Sequence, residues 1–352
     1  MEMTFCSRFG SSLSPFKQEM PPKAVSAAWS WRPVLLLAYR PIRTHTFALG
    51  SFCGAALLAQ LTLGCHRDAE PKGTAAQAAA SSTPVLQASA ATAPSGLTAQ
   101  VHLPASLKPG ERAPLLVMLH GLGSSGDDIE SGSDWSNFAA AHGIAWVAPS
   151  GPKDSKGRRF WNAGPTCCNF DGVAVDHVAE LRALIEQALA TQPLDKTRVF
   201  VGGYSNGGFM AHRLACEAPE LVSGIVSIAG VGPLEAVTCK AAKSLRVLQI
   251  QGDADAIVPY AGGHLFRDPR LPEHASAQKT VADWARRLGC KPTPQGDAAF
   301  DFETRLPGAE TRPTRFVDCQ RGQVQLWTVT GGDHFVGFRA PAPEAIWRFL
   351  SE

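Results

Sequence analysis

The chain has 352 residues, 45% hydrophobic and 18% charged, which supplies a sizeable core and excludes wholesale disorder. Its 33 Lys and Arg against 31 Asp and Glu leave a net charge of +2, which excludes a nucleic-acid binder that works by neutralising phosphates. With 33 Gly and 26 Pro, turns are frequent and nothing sustains a long coiled coil.

The N-terminal third is read apart from the rest. From Thr44 to Cys65 there is no Asp, Glu, Lys or Arg, and Arg32, Arg40 and Arg43 stand just upstream. Positive residues, an apolar run and small residues at its end form the pattern of a bacterial export signal. Leu61-Thr62-Leu63-Gly64-Cys65 resembles the lipobox at which lipoproteins are cut and lipidated on the Cys, with Thr62 where an aliphatic residue is usual. An ordinary secretory signal and a single membrane anchor are the competing readings. Residues 1–65 are therefore expected to direct export, with membrane attachment through a lipidated Cys65. Residues 73–96 carry no charge and consist mainly of Ala, Ser, Thr and Pro. Such a composition cannot bury enough surface to offset the entropy of ordering, so 66–96 is expected to be a flexible tether.

Residues 97–352 alternate strand and helix signals. Strands are predicted at 114–119, 144–148, 198–202, 222–228, 245–250 and 324–329, where short apolar runs end in turn residues. Helices are predicted at 133–143, with Ser133 as its cap, and at 176–189, 207–216, 275–288 and 343–350. This alternation predicts an α/β domain, a mainly parallel sheet with helices on both faces.

The turn after the 198–202 strand reads Gly203-Tyr204-Ser205-Asn206-Gly207-Gly208, G-x-S-x-G between a strand and a helix. This is the context of a nucleophile elbow, in which glycines let the chain bend sharply and lift the serine hydroxyl clear of the sheet. A serine hydroxyl needs a base, and the base needs an orienting carboxylate. In α/β-hydrolases the acid and then the His follow the Ser along the chain. Gly252-Asp253-Ala254-Asp255-Ala256-Ile257-Val258-Pro259 follows the 245–250 strand and fits G-x-x-D-x-x-V-P with Asp255 as the acid. Asp253 is then expected to bond to its local backbone as a turn residue. His334 in Gly331-Gly332-Asp333-His334, just past the last strand, stands where the base belongs. His142, His177, His212, His264 and His274 are expected to be surface or packing residues. The backbone N–H groups of Leu122, in His120-Gly121-Leu122-Gly123, and of Asn206 are expected to form the oxyanion hole, with His120 holding that loop.

The segments PLLVMLHGLGSSGDD, RFWNAGPTCC, RVFVGGYSNGGFMAHRLACEAPELVSGIVSIAG, QGDADAIVPYAGG and GGDHF resemble the polyhydroxybutyrate depolymerase-like esterases. That α/β-hydrolase group also holds feruloyl and acetyl-xylan esterases. The resemblance covers nearly all of 97–352. It implies the α/β-hydrolase fold, gives the triad roles to Ser205, Asp255 and His334, and places Trp161, with Tyr204 and Phe335, near the substrate pocket. The chain departs from the family pattern at Asp333, where a Gly is usual, and at Phe335-Val336-Gly337, where an aromatic-Pro pair is usual. No added polyester-binding domain is expected.

Six cysteines lie in the domain, an even number that favours disulfides in an exported protein. Local proximity suggests Cys216–Cys239 and Cys290–Cys319, leaving adjacent Cys167 and Cys168 as a bridge or as free thiols. No C-x-x-C or H-x-x-x-H spacing supports a metal, and no metal or cofactor is expected. The sequence thus predicts an exported, monomeric serine esterase acting on a small, oligomeric or polymeric ester. A serine peptidase of the same fold and a non-catalytic surface-binding lipoprotein are the alternatives.

Overall fold

The computed structural model describes residues 90–92, 96–132, 135–233, 239, 244–339 and 342–352. The expected export segment, Cys65, most of the expected tether and the expected cap Ser133 lie outside these residues. The elements run in the order β1 (Ala90–Thr92), β2 (Thr98–Gln100), β3 (Ala113–Leu119), α1 (Gly126–Gly132), α2 (Trp135–Ala141), β4 (Ala145–Val147), α3 (His177–Thr191), β5 (Leu194–Tyr204), α4 (Asn206–Glu217), β6 (Gly224–Ile228), β7 (Leu245–Gly252), β8 (Gly263–His264), β9 (Glu273–His274), α5 (Ala277–Leu288), β10 (Gln295–Gly296), β11 (Thr311–Phe316), β12 (Gly322–Val329) and α6 (Ala342–Ser351).

Eight strands form one sheet in the order β10-β11-β12-β7-β6-β5-β3-β4. The pairs from β12 through to β4 are parallel, while β10–β11 and β11–β12 are antiparallel. All seven residues of β3 and all five of β6 are buried, as expected of strands covered on both faces. Alternation divides their side chains between two cores. Leu115, Val117 and Leu119 join α3, α4 and α5 on one face, and Leu116 and Met118 join α2 and α6 on the other.

Helix ends follow local chemistry. Asp176 accepts from the N–H groups of Val178 and Ala179 at 3.1 and 3.2 Å and starts α3. Ser276 accepts from Lys279 N at 2.9 Å to start α5, and Gly289, at φ 69°, ends it. Disulfides Cys216–Cys239 and Cys290–Cys319 close loops of 23 and 29 residues, and Cys167 is bonded to Cys168. Each of the two longer loops contributes about 3 kcal/mol by restricting the unfolded chain.

The structure departs from the sequence reading at the domain's start. β1 lies inside the stretch expected to be tether, yet it pairs antiparallel with β2. Main-chain hydrogen bonds need no large side chains, which is why composition did not reveal it. Helix α1, the β8–β9 ribbon and the antiparallel β10–β11 edge were likewise not predicted.

Candidate active site

The turn at Ser205 is built by close backbone contact. Strand β5 ends at Tyr204 and α4 begins at Asn206, leaving Ser205 between them at φ 51°, ψ −116°. A residue with a side chain adopts such a backbone at a cost of about 1–3 kcal/mol. Ser205 N–H donates to Ile228 O at 2.7 Å and Ser205 O accepts from Phe209 N at 3.1 Å, which holds it there. Only glycine fits on either side. A Cβ on Gly203 would stand 2.1 Å from Gly207 O, and one on Gly207 would stand 2.1 Å from Leu119 O.

Three side chains distant in sequence meet at this turn. His334 Nε2 lies 2.9 Å from Ser205 Oγ, and His334 Nδ1 lies 2.8 Å from Asp255 Oδ2. An ionised carboxylate only accepts, so Nδ1 carries the imidazole proton and Nε2 is left to accept from the serine hydroxyl. Asp255 is 1% exposed, and its charge is met by four donors. Oδ1 accepts from Ile257 N and Val258 N, both at 2.8 Å, while Oδ2 accepts from His334 and from Gln251 Nε2 at 2.9 Å. Asp253 stands in a turn, as expected, but its side chain bonds to backbone remote in sequence. Its Oδ1 accepts from Gly331 N at 2.7 Å, in the loop that carries His334.

The two segments expected to supply the oxyanion hole are adjacent. A Cβ on Gly121 would lie 3.6 Å from Ser205 Cβ, so the loop bearing Leu122 passes against Ser205. His120 holds that loop: its Nδ1 donates to Gly121 O at 2.8 Å and its Nε2 accepts from Gly151 N at 3.0 Å. Burial lowers its pKa to about 4, which keeps the ring neutral for both bonds.

Trp161, expected beside the pocket, is wholly buried. It joins two segments of the site. Its backbone N–H donates to Asn206 Oδ1 at 2.7 Å and its carbonyl accepts from Asn206 Nδ2 at 2.8 Å, while its indole N–H donates to His120 O at 3.1 Å. Tyr204 donates its hydroxyl to His334 O at 2.6 Å. Phe335 is 61% exposed, its ring 5.4 Å from that of His334.

A clamp with no motif to announce it holds the His334 loop. The Arg305 guanidinium donates to Asp333 Oδ1 and Oδ2 at 2.8 and 3.1 Å, to the carbonyl of Phe335, and to Glu303 Oε1 at 2.8 Å. Glu303 is fully buried and also accepts from Gly337 N at 2.9 Å. Burial alone would raise the Glu303 pKa, but Arg305 and the backbone donors hold it below the usual carboxylate range. Hydrogen bonds from Arg305 lower Asp333 in the same way.

A cleft of about 740 Å³, lined in part by Asn162, Cys167, Phe170, Arg213 and Phe266, includes none of Ser205, Asp255 and His334, although its Cys167 Sγ accepts from Asn206 Nδ2 at 3.6 Å. A second cavity of about 690 Å³ between β10–β12 and α6 includes none of the triad. Among the described residues no His, Cys, Asp and Glu group could hold a metal ion, and no helix is long and apolar enough to cross a membrane.

Comparison with known proteins agrees with this architecture. Residues 106–270 match the phospholipase/carboxylesterase family of α/β-hydrolases. The chain is 26% identical over 242 residues to feruloyl esterase B of Piromyces equi, covering 67% of this chain and 42% of that protein. It is 30% identical over 150 residues to a poly(3-hydroxybutyrate) depolymerase of Ralstonia pickettii, covering 39% and 30%. The chain thus spans less than half the length of either relative. An acetyl xylan esterase from Aspergillus awamori shares the fold, with a TM-score of 0.52 and 16% identity over 74% of this chain and 96% of that one. By its sheet topology and these similarities, the chain has the α/β-hydrolase fold and is similar to feruloyl esterases and poly(3-hydroxybutyrate) depolymerases.

Proposed function

We propose that the protein is an exported serine esterase that hydrolyses carboxylic esters through an acyl-enzyme. The observation that carries this reading is the hydrogen-bonded series Ser205–His334–Asp255 on a strained turn. His334 Nε2 takes the hydroxyl proton as Ser205 Oγ attacks the ester carbonyl, and Asp255 keeps the other imidazole nitrogen protonated and stabilises the imidazolium. The carbonyl oxygen gains charge, which the N–H groups of Leu122 and Asn206 meet, each donor contributing about 3 kcal/mol to the transition state. His334 then returns the proton to the departing alkoxide. Water, deprotonated by the same nitrogen, attacks the acyl-serine and releases the acid.

The substrate is a hydroxyalkanoate oligomer or polyester, or a feruloyl or acetyl ester of plant polysaccharide, in keeping with the names of the relatives. Residues 97–352, with β1 joined to them, form the catalytic unit. The segment before it directs export, with Cys65 as the site of lipid attachment. The test is labelling by a fluorophosphonate, followed by turnover of p-nitrophenyl esters, methyl ferulate and hydroxybutyrate oligomers. Failure of the wild type to label, or equal labelling of Ser205→Ala, overturns the mechanism. The ester panel decides between the two substrate classes.

A further inference from the structure

Behind Asp255 the buried face of β7 departs from apolar patterning. Leu245 and Val247 point toward α4 and α5, and the next two positions on that face are Gln249 and Gln251, both fully buried. Buried amides are costly unless every donor and acceptor is met, and here a continuous chain meets them. Trp284 Nε1 lies 3.0 Å from His212 Nδ1, and His212 Nε2 lies 2.9 Å from Gln249 Oε1. Gln249 Nε2 donates to Gly230 O at 2.5 Å and to Gln251 Oε1 at 3.1 Å. Gln251 Nε2 donates to Val258 O and to Asp255 Oδ2, each at 2.9 Å.

We propose that the indole N–H of Trp284 fixes the polarity of this buried chain, making Trp284, His212, Gln249 and Gln251 positioning residues for Asp255. The inference rests on Asp255 being the acid of the triad. An indole nitrogen only donates, so His212 Nδ1 must accept. A neutral imidazole then carries its proton on Nε2, which must donate, and the Gln249 oxygen must face it. That turns the Gln249 amide nitrogen toward Gln251 Oε1, and so turns the Gln251 amide nitrogen toward the carboxylate. Each link admits one orientation. A flipped Gln251 would set its oxygen against both Asp255 and Val258 O. Burial lowers the His212 pKa to about 4, so the ring stays neutral while the enzyme works. The chain begins on α5, on the core-facing side of Trp284, and ends on the oxygen that also receives His334 Nδ1–H. It limits rotation of the carboxylate and shares its charge.

The test uses the full-length protein with p-nitrophenyl acetate. Trp284→Phe keeps an aromatic ring and deletes the N–H, and Gln251→Leu removes the last donor. Trp284→Phe is expected to lower kcat about 3- to 10-fold, and Gln251→Leu about 10- to 100-fold, with KM within twofold of wild type. Asp255, having lost a donor, binds the imidazolium more tightly, so the acid limb of the kcat/KM profile moves to higher pH. Imidazole ¹⁵N spectra of Trp284→Phe should show His212 losing its single Nε2–H tautomer. Wild-type kcat and acid limb in either folded variant overturn the proposal. So does reduced kcat with an unmoved limb and an unmoved tautomer, since that is packing damage. If one variant does not fold, the other decides. The tautomer measurement needs no turnover, so failure of wild-type labelling removes the triad reading and leaves the polarity of the chain to be judged separately.

Discussion

Asp253 Oδ1 accepts a 2.7 Å hydrogen bond from the backbone N–H of Gly331. Two backbone bonds run beside it, Asp253 N to Val329 O at 3.1 Å and Ala254 N to Gly332 O at 2.9 Å. The loop carrying Asp255 and the loop carrying His334 are therefore stitched together through their backbones as well as through their side chains. Two aspartates two residues apart thus have different tasks. Asp253→Asn keeps the acceptor oxygen and is expected to retain near wild-type kcat/KM. Asp253→Ala loses a bond worth about 1 kcal/mol and should lower it several-fold. Asp255→Asn presents the wrong tautomer to His334 and should lower kcat by roughly 10⁴. Turnover of p-nitrophenyl acetate by the three variants checks this, and the reverse ranking would exchange the two assignments.

The Arg305 clamp makes His334 placement sensitive to acid. Glu303 and Asp333 both have folded pKa values below those of free carboxylates. Their contribution is therefore complete above the ordinary carboxylate range, about 4, and is lost as pH falls through the depressed values. Arg305→Met leaves the buried Glu303 carboxylate with backbone donors alone. The cost is about 1–3 kcal/mol, toward the lower end because Arg305 is half exposed. The melting temperature should fall and kcat should fall with it. Adding Glu303→Gln to that variant should recover part of the melting temperature, because no unpaired charge then remains buried. A double variant no more stable than the single one would contradict this account.

What could be read from the sequence was what local chemistry encodes. Strand β3 is an unbroken apolar run and β6 is broken only by Ser227, and G-x-S-x-G is contiguous, so the strands and the turn at Ser205 were visible. Strand β11 was not. Thr311-Arg312-Pro313-Thr314-Arg315-Phe316 combines two arginines with a proline, and proline lacks the ladder donor that a strand assignment assumes. Helix α1, Gly126-Asp127-Asp128-Ile129-Glu130-Ser131-Gly132, has no apolar stripe. The Arg305–Asp333 and His212–Gln249 contacts join residues 28 and 37 apart, and one sequence carries no signal of such pairing. Two glutamines continuing the face that Leu245 and Val247 begin were the available clue, since polar residues on a buried face break the pattern for a reason. The bonds that Trp161 makes to Asn206 and His120 join residues 45 and 41 apart, and no motif announces them.

Three buried histidines predict how the fold responds to acid. Burial lowers the pKa values of His120, His177 and His212 to about 4 each, against about 6.5 in the unfolded chain. Between those values the unfolded chain binds protons that the native state refuses, so stability is full above 6.5 and declines as pH falls toward 4. Each histidine contributes a slope of about 1.4 kcal/mol per pH unit in that window. Urea midpoints across pH 7 to 4 measure it. His177 Nδ1 accepts from Asn162 N at 2.6 Å, a role that the Oδ1 of Asn can fill, so His177→Asn should reduce the slope by roughly one proton. A flat profile, or an unchanged slope in the variant, would show that these rings accept protons in place.

The glycines around Ser205 separate folding from catalysis. At Gly207 an added Cβ would meet Leu119 O at 2.1 Å and His120 O at 2.8 Å, both backbone atoms at the end of a buried central strand. Neither can move without displacing β3, so Gly207→Ala is expected to fail to accumulate as folded protein. At Gly121 the nearest atom is Tyr204 Cδ1 at 3.2 Å, followed by Tyr204 O at 3.5 Å and Ser205 Cβ at 3.6 Å. A shift of a few tenths of an ångström relieves that contact, and it falls on the loop whose Leu122 N–H is to meet the oxyanion. Gly121→Ala should therefore fold with a melting temperature near wild type and lose activity in kcat rather than KM. The loss should approach that of a displaced oxyanion donor, about 10²-fold. Wild-type kcat in a folded Gly121→Ala protein would mean that this loop does not reach the reacting carbonyl, and the second donor would have to be sought elsewhere around Ser205.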